Sequence, residues 1–192
     1  DLLFSLGNIA ELRRMRGDYD NAHAAMLDVE RIVMASYPPV HREVGTTNHN
    51  IASCLREWGK HEASLPRYDT AIDVRRQVHG DRHMYVANSL TGKGLALLAL
   101  GRAAEALPLL EEASSIRGET EAPPRKQAQT EFGLARALEA TGGDLDRAIA
   151  LARSALEHLG AQSDEAVAER RSQIEAWLTA HGDDAPTHPV RP

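Results

Sequence analysis

Four glycine-led segments recur at one fixed interval, and that period leaves few folds open to the chain. Gly17-Asp18-Tyr19-Asp20-Asn21-Ala22, Gly59-Lys60-His61-Glu62-Ala63-Ser64, Gly101-Arg102-Ala103-Ala104-Glu105-Ala106 and Gly143-Asp144-Leu145-Asp146-Arg147-Ala148 align with their glycines 42 residues apart each time. Self-similarity of this length marks a stacked array, in which no unit buries its apolar face alone and each covers its neighbour.

Around each glycine the spacing is helical. Ala10, Ala52 and Gly94 stand seven residues before their glycines, and Ala135 stands seven before Gly142. A small side chain there lets a neighbouring helix approach closely. After each glycine come Ala22, Ser64, Ala106 and Ala148, and seven residues further Val29, Ala71, Ala113 and Ala155, two turns on and on the same face. Met26, Tyr68, Leu110 and Ala152 fill the turn between. Each unit therefore reads helix, tight glycine turn, helix. The fourth unit holds one extra residue at Thr141-Gly142-Gly143-Asp144, which offsets its first helix by one while its second keeps register. Composition agrees with an all-α chain: Ala and Leu dominate the apolar share, β-branched residues are sparse and aromatics make up 4%.

Helices are predicted near 2–16, 20–36, 42–58, 61–79, 84–100, 103–117, 124–141, 145–160 and 164–181. Asp18, Asp144 and Asp164 suit N-cap duty, where a carboxylate takes bonds from orphan N–H groups. Pro38-Pro39 and Pro123-Pro124 separate units, and Pro66 and Pro108 lie early in second helices, where slight bends are expected.

The pattern resembles tetratricopeptide repeats, in the long spacing found in kinesin light chains and many bacterial proteins. His79-Gly80-Asp81-Arg82-His83-Met84-Tyr85-Val86-Ala87 is similar to that family's Gly-x-x-His-Pro-x-Val-Ala connection, with Met84 in place of proline. The stretch from Phe132-Gly133-Leu134-Ala135-Arg136-Ala137-Leu138 through Ile174-Glu175-Ala176-Trp177-Leu178 resembles the C-terminal repeats of bacterial serine/threonine protein kinases. The resemblance implies a right-handed α–α superhelix of four helix pairs, in units of about 1–37, 42–80, 84–118 and 124–160, closed by a capping helix over 164–181. Val167, Ile174, Trp177 and Leu178 would cover the last repeat, with Glu165, Glu169, Arg170, Arg171 and Glu175 on the cap's outer side. Residues 182–192 are expected to be a disordered tail. The chain opens at Asp1-Leu2-Leu3-Phe4, already in a helical pattern and without an initiator Met, and is expected to be a portion of something longer.

Catalytic chemistry finds no purchase in the pattern. Ser and His are scattered without a nucleophile turn, so no catalytic residue is assigned. His79 and His83 flank Gly80, which breaks the helix that a metal pair would need, and no metal or cofactor is expected. Gly92-Lys93-Gly94 lacks the phosphate-loop spacing and falls mid-helix; Lys93 stands where Ile9 and Ile51 stand in earlier units and should snorkel. The lone Cys54 is read as a small buried hydrophobe and points to a reducing, cytoplasmic location. Net charge is -6 with acids and bases interspersed, which opposes nucleic-acid binding, and no apolar stretch is long enough for a membrane span.

Binding is expected on the concave face that first helices line. The inward positions are Phe4, Gly7, Glu11, Arg14 and Met15 in the first unit, with Asn8 recurring as Asn50, and Thr46, His49, Asn50, Ser53, Arg56 and Glu57 in the second. The third gives Asn88, Thr91, Leu95, Leu98 and Ala99, and the fourth Gln129, Phe132, Arg136 and Glu139. Amides such as Asn8 and Asn50 suit an extended peptide backbone. Family members that clamp a chaperone's C-terminal carboxylate use basic and amide residues here. This chain offers Gly7, Leu95 and Ala99 for the bases and Glu11 for one amide, so the resemblance does not imply chaperone-tail binding. The expected function is a non-catalytic interaction scaffold, bacterial and in signalling, holding a protein or peptide. Alternatives are the regulatory region of a larger signalling enzyme such as a kinase, or a homodimer built on Phe4 and Leu6.

Overall fold

The structure, a computed structural model, describes residues 2–160 and 164–182, with the side chains of Leu2 and Phe4 left aside. Nine α-helices and no strand occur among them: α1 Leu2–Met15, α2 Tyr19–Ser36, α3 Arg42–Glu57, α4 His61–His79, α5 Met84–Ala99, α6 Ala103–Glu119, α7 Pro124–Ala140, α8 Leu145–Leu159 and α9 Glu165–Ala180. Each helix packs on its chain neighbours, and first helices also meet across units, α3 on α5 and α5 on α7. This is a helical solenoid, and its helix ends fall within two residues of the sequence reading. The expected tail over 183–192 lies outside the described residues.

Every hairpin turns by the same device. Gly17, Gly59, Gly101 and Gly142 carry φ of 75°, 79°, 73° and 67°, the left-handed region that a side chain disfavours. In each, the following N–H reaches back to the last full turn of the helix: Asp18 to Arg13 O at 3.0 Å, Lys60 to Leu55 O at 2.8 Å, Arg102 to Leu97 O at 2.9 Å and Gly143 to Leu138 O at 2.8 Å. The turning residue of the fourth unit is thus Gly142, and Gly143 is the insertion that precedes the N-cap Asp144.

Stacking follows the small-residue stripe. Ala10, Ala52, Gly94 and Ala135 are buried, as are Ala22, Ser64, Ala106 and Ala148 and then Ala71, Ala113 and Ala155. Val29 alone of the stripe is only partly covered, because it lies in the first unit. At Gly94 a Cβ would come within 2.7 Å of the Leu110 side chain. Leu110 is fully buried there, a placement worth about 1.5–3 kcal/mol in removed apolar surface.

Two capping expectations hold and one does not. Asp144 accepts from the Arg147 N–H, and Asp164 from those of Ala166 and Val167. Asp18 caps no backbone group; its carboxylate takes the Asn21 amide instead. The α3 and α5 caps are His41 and His83, one period apart, whose Nδ1 atoms accept from Glu43 N–H at 3.2 Å and Tyr85 N–H at 3.1 Å. The His83 ring also stacks on His79 at 4.5 Å, so this histidine pair is occupied in closing the linker. Cys54 is buried near the Tyr19 carbonyl, and burial pushes its thiol up to about 11.

Candidate functional site: the concave groove

First helices point one face at the solenoid axis, and α9 continues that series as a fifth such helix. Together they enclose a cavity of about 450 Å³. Its wall takes Glu11 and Arg14 from α1, His49, Asn50, Ser53, Arg56 and Glu57 from α3, and Asn88 and Gly92 from α5. Arg125, Lys126 and Gln129 of α7 follow, then Ala166, Val167 and Arg170 of α9, with Tyr68 and Leu159 behind. A smaller cavity of about 230 Å³ adjoins it along Leu95, Ala99, Phe132, Gly133 and Arg136, again with Arg56, Gln129 and Arg170.

The floor is a hydrogen-bonded layer. Tyr68 of α4 is fully buried and slides its ring beneath α5, where a Cβ on Gly92 would lie 2.5 Å from it. Only glycine admits that approach. The phenol oxygen receives Arg56 Nε at 3.3 Å and shares a bond with Ser53 Oγ at 3.2 Å. Beside it His49 meets the Tyr68 ring edge-on at 5.8 Å and bonds Ser89 Oγ through Nδ1 at 3.1 Å. The surrounding protein, then Arg75, Lys126, Arg56 and Arg14, hold His49 well below its ordinary pKa, so it is neutral at pH 7.

Two arginines lie beneath this layer at equivalent positions of α4 and α6. Arg75, 5% exposed, donates to Tyr85 O at 2.9 Å and Ser89 Oγ at 2.7 Å; Arg117, 3% exposed, donates to Thr130 Oγ1 at 2.7 Å and Asn88 Oδ1 at 2.8 Å. Neither meets a carboxylate in an ion pair among the described residues, and Arg75 Nε and Arg117 Nη1 have no partner. Burial lowers both guanidiniums to about 10.

The two ends of the groove differ in charge balance. At the α1–α3 end Arg14 bridges Glu11 at 2.5 Å and Glu57, and Arg56 pairs with Glu57 at 2.9 Å. The bond to Arg14 holds Glu11 below the usual carboxylate range, and the bond to Glu11 raises Arg14. At the α7–α9 end Arg125 pairs with Asp164 at 2.7 Å, but the side chains of Lys126 and Arg170 make no ion pair or hydrogen bond among the described residues. Lys126 opens to solvent through the cavity. The protein around it, with Arg117, Arg56, Arg14 and Arg170, still lowers its pKa, while burial and then Arg56 lower Arg170.

Of the inward residues read from sequence, Glu11, Arg14, His49, Asn50, Ser53, Arg56, Glu57 and Asn88 line the larger cavity, and Leu95, Phe132 and Arg136 line the smaller. Gln129 lines both and Ala99 the smaller, whereas Gly7, Met15, Thr46 and Glu139 line neither, and Asn8, Thr91 and Leu98 also fall elsewhere. Thr91 is 2% exposed and spends its hydroxyl on Ala87 O and Thr130, because its turn of α5 faces α7 rather than the axis. Leu98 packs into the core beside α6 and α7, and Asn8 is exposed outside both cavities. Lys93 also lies away from the groove, where it pairs with Asp69 of α4 as a snorkelling side chain would.

The sequence reading missed Tyr68, Gly92, Arg125, Lys126 and Arg170. Arg170 was assigned to the outer side of a cap, yet it lines the groove. Carrying the period on from Asn88 through Gln129 would have reached it. The groove therefore has more positive charge than the first three units suggest, all of it brought by α7 and α9.

Residues 43–119 match the tetratricopeptide repeat family model. No curated protein matches the chain in sequence. Among solved structures, a Podosopora anserina putative kinesin light chain of nearly identical TPR-like repeats superimposes with a TM-score of 0.70 at 19% identity, covering 93% of this chain and 89% of its own. BtubC (BKLC) from P. vanneervenii gives 0.70 at 20% identity over 100% of this chain and 68% of its own. A MamA RS-1 double mutant gives 0.58 at 16% identity, over 96% and 98%.

Proposed function

We infer, from a chain that carries tetratricopeptide repeats at residues 43–119 and continues their solenoid through its described helices, that it is a non-catalytic scaffold holding a protein or peptide segment in its groove. The observation that supports this most is the continuous inward wall contributed by α1, α3, α5, α7 and α9 around one cavity. Its size falls in the range of pockets that hold a small molecule, roughly 300–1,000 Å³, room enough for a short stretch of an extended chain. The Asn50 and Gln129 amides make no side-chain bond among the described residues and face this space, so they are free to take backbone donors and acceptors of an extended chain.

No reacting centre competes with that reading. Most of the buried polar groups under the groove bond one another, and among the described residues no nucleophile sits beside a base that faces the cavity. A scaffold requires only that the wall be rigid, which the Tyr68 layer provides.

The test is selection of binders from a random peptide library on the purified chain, repeated with Asn50→Ala combined with Arg56→Glu. The variant should keep its far-UV circular dichroism and lose at least tenfold in affinity for the selected peptides. Equal binding by parent and variant would remove the groove from the account.

A further inference from the structure

The α7–α9 end of the groove contains two cations, Lys126 and Arg170, that make no ion pair among the described residues, although Glu57 and Glu169 act on Arg170 from farther off. The other cations lining the larger cavity are paired: Arg14 with Glu11 and Glu57, Arg56 with Glu57, Arg125 with Asp164. Lys126 and Arg170 line the same cavity with no carboxylate bonded to either among the described residues. Beneath them Arg117 is buried, bonds the lining residue Asn88, and keeps Nη1 without a partner. Arg117 does not itself line the cavity, but its charge acts on Lys126 and adds to the positive potential there. In a chain of net charge -6, this convergence is the reverse of the average surface.

We propose that this end of the groove is a phosphoryl-group site, in which Lys126 and Arg170, with Gln129 beside them, hold a dianionic oxyanion carried by the ligand, the buried Arg117 adding positive charge beneath without touching it. A phosphoryl group suits it better than a single carboxylate for two reasons. It carries nearly two negative charges near pH 7, against two cations that make no ion pair among the described residues, and it offers three acceptor oxygens to donors that converge from α7 and α9. A carboxylate would leave most of that charge excess in place. The site deepens the reading of the groove as a binding face, but its test needs no peptide partner, so its failure and that of the peptide reading are separable.

The experiment is calorimetric titration of the purified chain with inorganic phosphate and with pyrophosphate, at ionic strength held constant with chloride so that screening does not change. Saturable binding is expected, with Lys126→Gln and Arg170→Gln each weakening it at least tenfold. Arg147→Gln, in an exposed pair with Glu111 on second helices, should leave it unchanged. A second arm compares one peptide carrying phosphoserine with the same peptide carrying Glu. Tighter binding of the phosphopeptide than of inorganic phosphate supports a peptide-borne group, and inorganic binding without that gain supports a free anion at the same site. Absence of saturable binding by all phosphoryl probes overturns the proposal. So does equal affinity for the phosphoserine and Glu peptides where both bind more tightly than inorganic phosphate, which would make it a carboxylate site, and so does an unchanged response in both groove variants.

Discussion

Adding one methyl group at Gly92 tests the floor of the groove. The position is helical, so Gly→Ala gains about 1 kcal/mol of helix propensity wherever the new Cβ has room. Here it has none: the Cβ would lie 2.5 Å from Cε1 and Cζ of Tyr68 and 2.6 Å from its hydroxyl. Those are atoms of a rigid, fully buried ring, not the loose end of a flexible chain. Overpacking of this kind costs about 1–3 kcal/mol, so the net effect is a loss of about 0–2 kcal/mol. Gly7 supplies the internal control, since it is also helical and its Cβ would meet nothing within 4 Å. Gly7→Ala should stabilise by about 1 kcal/mol, which separates the two variants by about 1–3 kcal/mol. For a chain of this size that is a gap of roughly 2–12 °C in Tm, readable by circular dichroism melting. Tyr68→Leu made together with Gly92→Ala should recover part of the loss, as a coupling in a double-mutant cycle. If Gly92→Ala raises Tm as much as Gly7→Ala, the close packing of Tyr68 under α5 is wrong, and the Arg56–Tyr68–Ser53 layer goes with it.

Two further outcomes follow from burial. Ala106 of α6 is fully buried in the core cluster, so Ala106→Arg should destabilise by about 3–5 kcal/mol through overpacking and an unpaired buried charge; an unchanged denaturant midpoint would reject the register. His49 folds neutral with its pKa held down, so the unfolded chain binds its proton first and stability falls as pH drops below about 6.5. After burial, the largest charge effects on His49 come from cations, Arg75, Lys126, Arg56 and Arg14, and act in the same direction. Melting from pH 7 to 5 should therefore cost the parent more than His49→Gln, and parallel pH profiles would show that the imidazole titrates freely.

How much of this was legible in the sequence follows from what the period encodes. A fixed interval of small residues specifies the spacing between helices, and Ala10, Ala52, Gly94 and Ala135 could be read as contacts because a small side chain at a crossing has one main physical reason. The left-handed glycines were legible on the same ground, down to the Gly142–Gly143 pair. The groove's chemistry was not periodic and so was harder to read. Thr91 occupies the repeat position of His49, yet its hydroxyl turns to Thr130 because α7 carries a partner there. Gly92 read as half of a glycine–lysine cluster, since nothing local announces that a tyrosine a helix away needs its Cβ absent. Arg75 and Arg117 lie one period apart inside second helices, where charge patterning alone places an arginine on a solvated face; only the stack reveals that both are buried under the groove. Arg170 failed for a different reason. A terminal helix treated as a lid is assigned an outside, whereas a terminal helix treated as one more first helix inherits the inward face of Asn88 and Gln129. The closing helix does both here, covering the last hairpin with Val167, Ile174 and Leu178 while turning Arg170 inward to a cavity that α1 enters from the other side. The residues that set the groove's charge thus lie in the part of the chain where the repeat is weakest, because a cap escapes the contact constraints that keep internal repeats alike and its inward positions are free to vary.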